Sequence, residues 1–157
     1  MHPNVDRVNA AAARAGLAIE VRRYPEGART AADAAAAIGC EVAQIVKSLV
    51  FMADEEPVLA LVSGANLADT DALARVLGAT EVRRATGKEA RKATTFAIGG
   101  VPPFGHDAPL PVVVDRDLTK HDVIWAAAGL PDAVFPITPD DLVRASGGTV
   151  ADIGIPA

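Results

Sequence analysis

Polar and apolar positions alternate along this chain with two different periods. Residues 4–15 read as an amphipathic helix, with Asn4 placed to cap it and Gly16 to stop it. From Ala18 to Tyr24, Ile19 and Val21 alternate with polar neighbours, the period of a strand. Thr30 to Ile38 is alanine-rich; Thr30 is its N-cap, Asp33 stands at the capping-box position, and Gly39 ends it. Ile45 to Ala53 is an apolar strand interrupted by Lys47 and Ser48. The turn Asp54-Glu55-Glu56-Pro57 sends it back through Val58 to Ser63 as a hairpin. Asp69 or Thr70 starts a helix that ends at Leu77 before Gly78, Glu81 to Arg84 is a short strand, and Thr86 caps a short basic helix through Lys92. Pro111 to Asp115, Val123 to Ala128 and Ala133 to Ile137 are three more strands. The last helix has Thr138 as cap, Pro139 and Asp140-Asp141 in its first turn, and Gly147 as stop. Hairpins and crossovers both occur, which predicts a mixed α/β (α+β) fold in one domain spanning residues 1–157.

Composition narrows the picture. Half of the 157 residues are hydrophobic but only 4% are aromatic, so the core is built from Ala, Val, Leu and Ile. A net charge of −5 argues against non-specific nucleic-acid binding over the whole surface, while leaving room for a local basic patch. Cys40 is the one cysteine, so no intramolecular disulfide forms, as suits a reducing cytoplasm. The N-terminus carries no signal pattern and no apolar run reaches the roughly 18 residues of a membrane span. A cytoplasmic protein without membrane contact is the expectation. His2, His106 and His121 have no metal-ligand spacing and no dinucleotide or phosphate-loop fingerprint is present; no metal and no cofactor are expected.

Four features carry candidate chemistry. Ala97 to His106 packs three glycines and two adjacent prolines into ten residues. Such a run is neither helix nor central strand; it is a tight connection or a shaped loop that offers backbone groups to a ligand. Lys47 is a lone cation inside an apolar strand, which either snorkels to water or clamps a phosphate or carboxylate. His106 is followed by Asp107, and such a pair either caps a turn or sets a base beside its orienter. Arg83, Arg84, Lys88, Arg91 and Lys92 place five cations in ten residues against one acid, Glu89. That is either a solvated face or a landing site for a phosphate backbone. Lys88, Arg91 and Lys92 share one helix face.

Several segments together resemble the YbaK/EbsC family, which is related to the editing (insertion) domain of bacterial prolyl-tRNA synthetases. They are Gln44 to Phe51, Leu61 to Asn66, Gly99 to His106, Val114-Asp115 and Trp125 to Gly129, in the family's order and spacing. The resemblance runs from about Thr30 to the C-terminus. It implies a mixed β-sheet wrapped by helices and the activity of a freestanding aminoacyl-tRNA deacylase. It places the family's strand lysine on Lys47 and its G-x-x-x-P loop on Gly99, Gly100, Val101, Pro102 and Pro103 as the catalytic set. It places substrate contacts on Thr30, Ala31, Ser63, Gly64, Asn66, Phe104, Gly105 and His106. Two positions depart from the family. Thr94-Thr95-Phe96 stands where Thr-Gly-Phe is common, and Pro102 stands where many members carry Ser or Thr, which removes a hydroxyl from the pocket edge.

The expected reaction is trans-editing of a mischarged tRNA, probed at its acceptor end: hydrolysis of the ester of Ala, Cys, Ser or Thr, with tRNA-Pro as the carrier. The expected tRNA contacts are Arg83, Arg84, Lys88, Arg91 and Lys92, and prolyl-tRNA synthetase is an expected partner; DNA and membranes are not. The activated ester needs only placed donors and an ordered water, and pocket bulk does the sieving. The alternatives are a non-catalytic module that binds tRNA ends or amino-acid derivatives, and a hydrolase of small esters with His106 as base.

Overall fold

The computed structural model describes residues 2–24 and 30–157. Its centre is a five-stranded sheet built on the expected hairpin, β2 (Val46–Ala53) and β3 (Glu56–Ser63), antiparallel over their full length. The pairing of Ala53 with Glu56 leaves a two-residue turn. Asp54 and Glu55 both take positive φ there (47° and 73°), as hairpin turns of this length require. The Asp54 carboxylate steadies the corner by accepting the Thr80 and Glu81 N–H groups at 2.8 and 2.9 Å.

The sheet extends on both sides. Short β5 (Val82–Arg84) pairs antiparallel with the end of β2. On the other flank, β6 (Val112–Asp115) and β9 (Thr149–Ala151) run parallel to β3 and to each other. A second sheet joins β7 (Ile124–Ala127) to β8 (Ala133–Ile137) and β8 to β1 (Arg22–Arg23). A ribbon of β4 (Asn66–Ala68) and β10 (Gly154–Pro156) completes the pairing.

Among the described residues five α-helices flank these sheets: α1 (Pro3–Arg14), α2 (Ala31–Ile38), α3 (Thr70–Leu77), α4 (Gly87–Thr94) and α5 (Pro139–Ser146). Sequence signals for their ends act as read. Thr30 and Thr86 close capping boxes with Asp33 and Glu89, and Thr138 caps α5 by accepting from Asp141 N–H. Gly39, Gly78 and Gly147 end their helices in the left-handed conformation. The cap of α1 is His2 rather than Asn4, because Pro3 already occupies the first turn and the His2 ring accepts the Asn4 N–H.

Two differences from the sequence reading are physical. The strand expected over Ala18 to Tyr24 shrinks to Arg22–Arg23: Leu17, Ile19 and Val21 pack on the core, but only Arg22 and Arg23 find ladder partners, Val134 and Ala133. β4, β9 and β10 went unread, being three residues each and held by partners remote in sequence.

The central sheet is apolar on both faces. Val46, Val50, Leu59, Leu61, Val112 and Val114 pack with Val5, Val8, Phe96, Val101 and Phe135 on one side. Phe51, Val58, Ala60, Val62 and Val113 pack with Leu73 of α3 and Ile153 on the other. No helix among the described residues is long and apolar enough to cross a membrane.

Candidate functional site

β2 has one complete neighbour and one interrupted one, and the site lies at the interruption. β3 covers its whole length, whereas β5 reaches only Phe51–Ala53 on the other edge. At the opposite end of that edge a single parallel bridge joins Ile45 to Trp125 of β7. Beyond the Ala85 N–H, which donates to Val50 O at 3.0 Å, the edge is unpaired by any strand among the described residues. A cavity of about 560 Å³ opens along this gap. Val46 to Val50 form its floor, Ile98, Gly99 and Val101 one wall, and Trp125, Ala127 and Val134 the other. Thr30 and Ala31 at the start of α2, together with Arg84, reach its rim. That volume falls within the range of about 300–1,000 Å³ common for small-molecule sites.

Strand alternation divides the floor. Val46, Ser48 and Val50 share the face packed with Ala90, Phe96 and Val101, so Ser48 looks toward the loop. Its hydroxyl oxygen is buried and has no hydrogen-bond partner among the described residues. Lys47 lies on the opposite parity, paired across the ladder with Val62. Its ammonium donates to the main-chain carbonyl of Asn66. Burial pushes the Lys47 pKa below its ordinary value and the Arg84 charge adds to that, while Asp115 pulls it back up.

Behind this lysine stands a buried polar cluster. The Asn66 amide nitrogen donates to Asp115 at 2.9 Å and to Asp117 at 2.8 Å. Asp115, 1% exposed, also accepts the Ser63 N–H at 3.1 Å and the Asp117 N–H at 3.0 Å. Ser63 Oγ donates to Ala43 O, and a Cβ on Gly64 would lie 2.4 Å from Val42 O. Ser63, Gly64 and Asn66, expected as substrate contacts, are absent from the cavity lining and are engaged in building this support.

The Gly/Pro loop is irregular, as expected, and splits between two places. Gly99 takes φ 91°, Gly100 N–H closes a turn on Ala97 O at 3.0 Å, and Gly99 and Val101 face the cavity. Gly100 packs on the backbone of Gly129 and Leu130, where a Cβ would sit 3.0–3.1 Å from them. Pro102 is buried away from the lining. Pro103, Phe104, Gly105 and His106 line a separate cavity of about 180 Å³ beside Ala145 and Ser146. His106 meets Phe96 edge-on at 6.0 Å, and the Arg7 guanidinium covers the same Phe96 ring at 4.1 Å. The carbonyls of Pro102 and Thr94 are near the imidazole but outside hydrogen-bond geometry, and burial pushes its pKa down. Asp107 faces Arg7 at 3.5 Å. His106 is thus held apart from the main cavity.

A model of the aminoacyl-tRNA editing domain matches residues 25–145 of this chain. The chain belongs to that family. A solved structure of a candidate trans-editing enzyme for prolyl tRNA synthetase is 44% identical over 99% of both chains, with a TM-score of 0.93. The chain is 34% identical over 91 residues to the proline–tRNA ligase of Ligilactobacillus salivarius, covering 58% of itself but 16% of the ligase. It is 24% identical to EbsC of Enterococcus faecalis, a candidate Cys-tRNA(Pro)/Cys-tRNA(Cys) deacylase, over 83% of this chain and 80% of that one. The chain therefore spans about a sixth of the ligase it matches and most of the freestanding relative.

The five cations expected at the tRNA surface of the editing domain are not equivalent. Arg83 is held bidentately by Glu89, at 2.8 and 2.7 Å. Arg84 reaches the cavity rim and lies 5.5 Å from the Phe51 ring centre. Lys88, Arg91 and Lys92 are exposed on α4, whose neighbouring loop carries Ile98 and Gly99 into the cavity wall. The sequence reading passed over Ser48, Tyr24 and Trp125 as site residues, although all three line the cavity. Two signals were available: Trp125 is the one tryptophan, and Ser48 is a second polar residue in an otherwise apolar strand.

Proposed function

We propose that this editing domain acts in trans on tRNA carrying a wrong small amino acid, with tRNA-Pro charged with Ala, Cys, Ser or Thr as its substrate set. The observation that supports it is the single cavity lined by both Lys47 and the Gly99–Val101 segment. The Lys47 ammonium has three donors; one goes to Asn66 O, and the others serve a phosphate oxygen at the tRNA end. Backbone groups of the loop and an ordered water complete the reaction, since an aminoacyl ester is already activated. The walls of Ala31, Ala34, Ala85 and Val101 leave room for small side chains and meet larger ones with bulk. A hydrophobic pocket gains only about 1–3 kcal/mol per methylene by attraction, so exclusion is the stronger sieve. Arg84, Lys88, Arg91 and Lys92 hold the acceptor stem, and prolyl-tRNA synthetase supplies the mischarged product.

The test is release of amino acid from a panel of mischarged tRNAs. Hydrolysis of small-residue esters on tRNA-Pro, lost in Lys47→Ala, is the expected result. Binding of the panel without turnover would favour a non-catalytic binding module instead.

A further inference from the structure

We infer that Ser48 is a substrate-contacting residue whose hydroxyl donates a hydrogen bond to the carbonyl oxygen of the aminoacyl ester. The inference rests on the deacylase reading above and adds a residue that neither the Gly/Pro loop nor Lys47 accounts for. Three observations carry it. The first is orientation. The Lys47 side chain leaves β2 on the parity that faces Val62, where its ammonium donates to the carbonyl of Asn66. Ser48 is on the other parity, with Val46 and Val50, and those two belong to the same buried cluster as Val101 of the loop. The strand's neutral donor thus faces the loop.

The second is an unmet hydrogen bond. Ser48 Oγ is buried without a partner among the described residues, yet it belongs to the lining of a cavity large enough for a ligand. A buried hydroxyl left unpaired costs free energy. A bound group that accepts its proton removes that cost at the moment of binding. The gap in the β2 edge leaves the cavity open beside Ser48: among the described residues β5 stops at the Phe51 pair and β7 bridges only at Ile45.

The third is the sign of the charges. Lys47 and Arg84 line the cavity, and no carboxylate does so among the described residues. Among the described residues an α-ammonium finds no counter-charge there. A carbonyl oxygen that gains negative charge finds donors and a favourable potential. In the reaction, water oxygen bonds to the ester carbonyl carbon and the carbonyl π electrons move onto oxygen, where the Ser48 O–H meets them. The electrons then return, the bond to the ribose oxygen breaks, and that oxygen takes the proton given up by the attacking water and leaves as a free hydroxyl of the tRNA. The products are the amino acid and uncharged tRNA. Ser48 stays uncharged and forms no covalent bond; its hydrogen bond strengthens as charge develops.

Ser48→Ala and Ser48→Thr, assayed on the mischarged tRNA that wild type hydrolyses best, test this. Removing one oxyanion donor costs on the order of 10²-fold in kcat. Ser48→Ala is expected to lose about 10- to 100-fold in kcat with KM changed less than about threefold. Its thermal midpoint is expected to equal or exceed that of wild type, because an unpaired hydroxyl is gone. Ser48→Thr, which keeps the hydroxyl, is expected to recover most of the rate. An unchanged kcat in Ser48→Ala, a loss confined to KM, a lowered midpoint, or equal losses in both variants would each overturn the assignment. Failure of the wild-type chain to deacylate any tRNA would instead remove the reading beneath it.

Discussion

The ammonium of Lys47 and the main-chain carbonyl of Asn66 are hydrogen-bonded, although 19 residues separate them. Asn66 can offer that carbonyl in one place because Asp115 and Asp117 hold its side-chain amide. The lysine is thus oriented by a buried carboxylate it does not directly bond. Its environment is mixed: burial and Arg84 disfavour its charge, Asp115 favours it.

The pH dependence of deacylation should report this balance. Loss of the Lys47 proton is expected at a pH below lysine's ordinary 10.5, giving an alkaline fall in kcat/KM once spontaneous ester hydrolysis is subtracted. Asp115→Asn should move that fall to lower pH and Arg84→Gln to higher pH. Stability runs the other way. Between the lowered folded value and the unfolded one the unfolded chain holds the extra proton, so unfolding free energy rises with pH across that window. Lys47→Met should abolish this rise in denaturant titrations.

Asp115→Ala is expected to destabilise the fold by about 3 kcal/mol, read as a lower denaturant midpoint. It would leave the buried Ser63 N–H without an acceptor and take away one of the two acceptors of the Asn66 amide. Asp115→Asn should cost less, since it keeps one acceptor oxygen. A midpoint unchanged in both variants would show that the cluster does not support β4.

Glu89 is held at a pKa of about 2, first by its hydrogen bond to Arg83 and then by the Thr86 N–H. Its folded value lies below the usual 4.5, so the contribution is present above pH 4.5 and is lost as pH falls toward 2. NMR titration should show the Glu89 value rising in Arg83→Gln. Because Glu89 already neutralises Arg83, Arg83→Gln should flatten the salt dependence of tRNA binding less than Lys88→Gln or Arg91→Gln does. Equal slopes would place Arg83 in the interface on the same footing as the helix cations.

Gly100→Ala brings a methyl group within 3.0–3.1 Å of the Gly129–Leu130 backbone. Neither side yields without moving the wall that Gly99 and Val101 give the cavity. An approximately tenfold loss of kcat/KM is expected, with a folded circular-dichroism spectrum retained. Full activity in this variant would mean that the wall tolerates displacement.

The local signals in the chain were largely readable. The helices α2, α3, α4 and α5 begin and end at Thr, Asp and Gly positions whose side chains or backbone freedom act over three or four residues. The β2–β3 hairpin is likewise a matter of alternation and a two-residue turn. β4, β9 and β10 were not legible, because three residues carry no period and their partners lie far along the chain. The lysine in its strand and the Gly/Pro loop were visible as oddities, and their meeting in one cavity was expected only by resemblance.

What the amino-acid order determined alone is therefore the set of elements, their caps and the unusual residue types, since these follow from side-chain period and backbone preference within a few positions. Only the tertiary structure decided which face of β2 each polar residue takes toward the loop, and that Asn66 and Ser63 support rather than line the cavity. It also decided that His106 belongs to a different hollow. The physical reason is that strand parity becomes a direction in space only once the neighbouring sheet, loop and helix are packed against it.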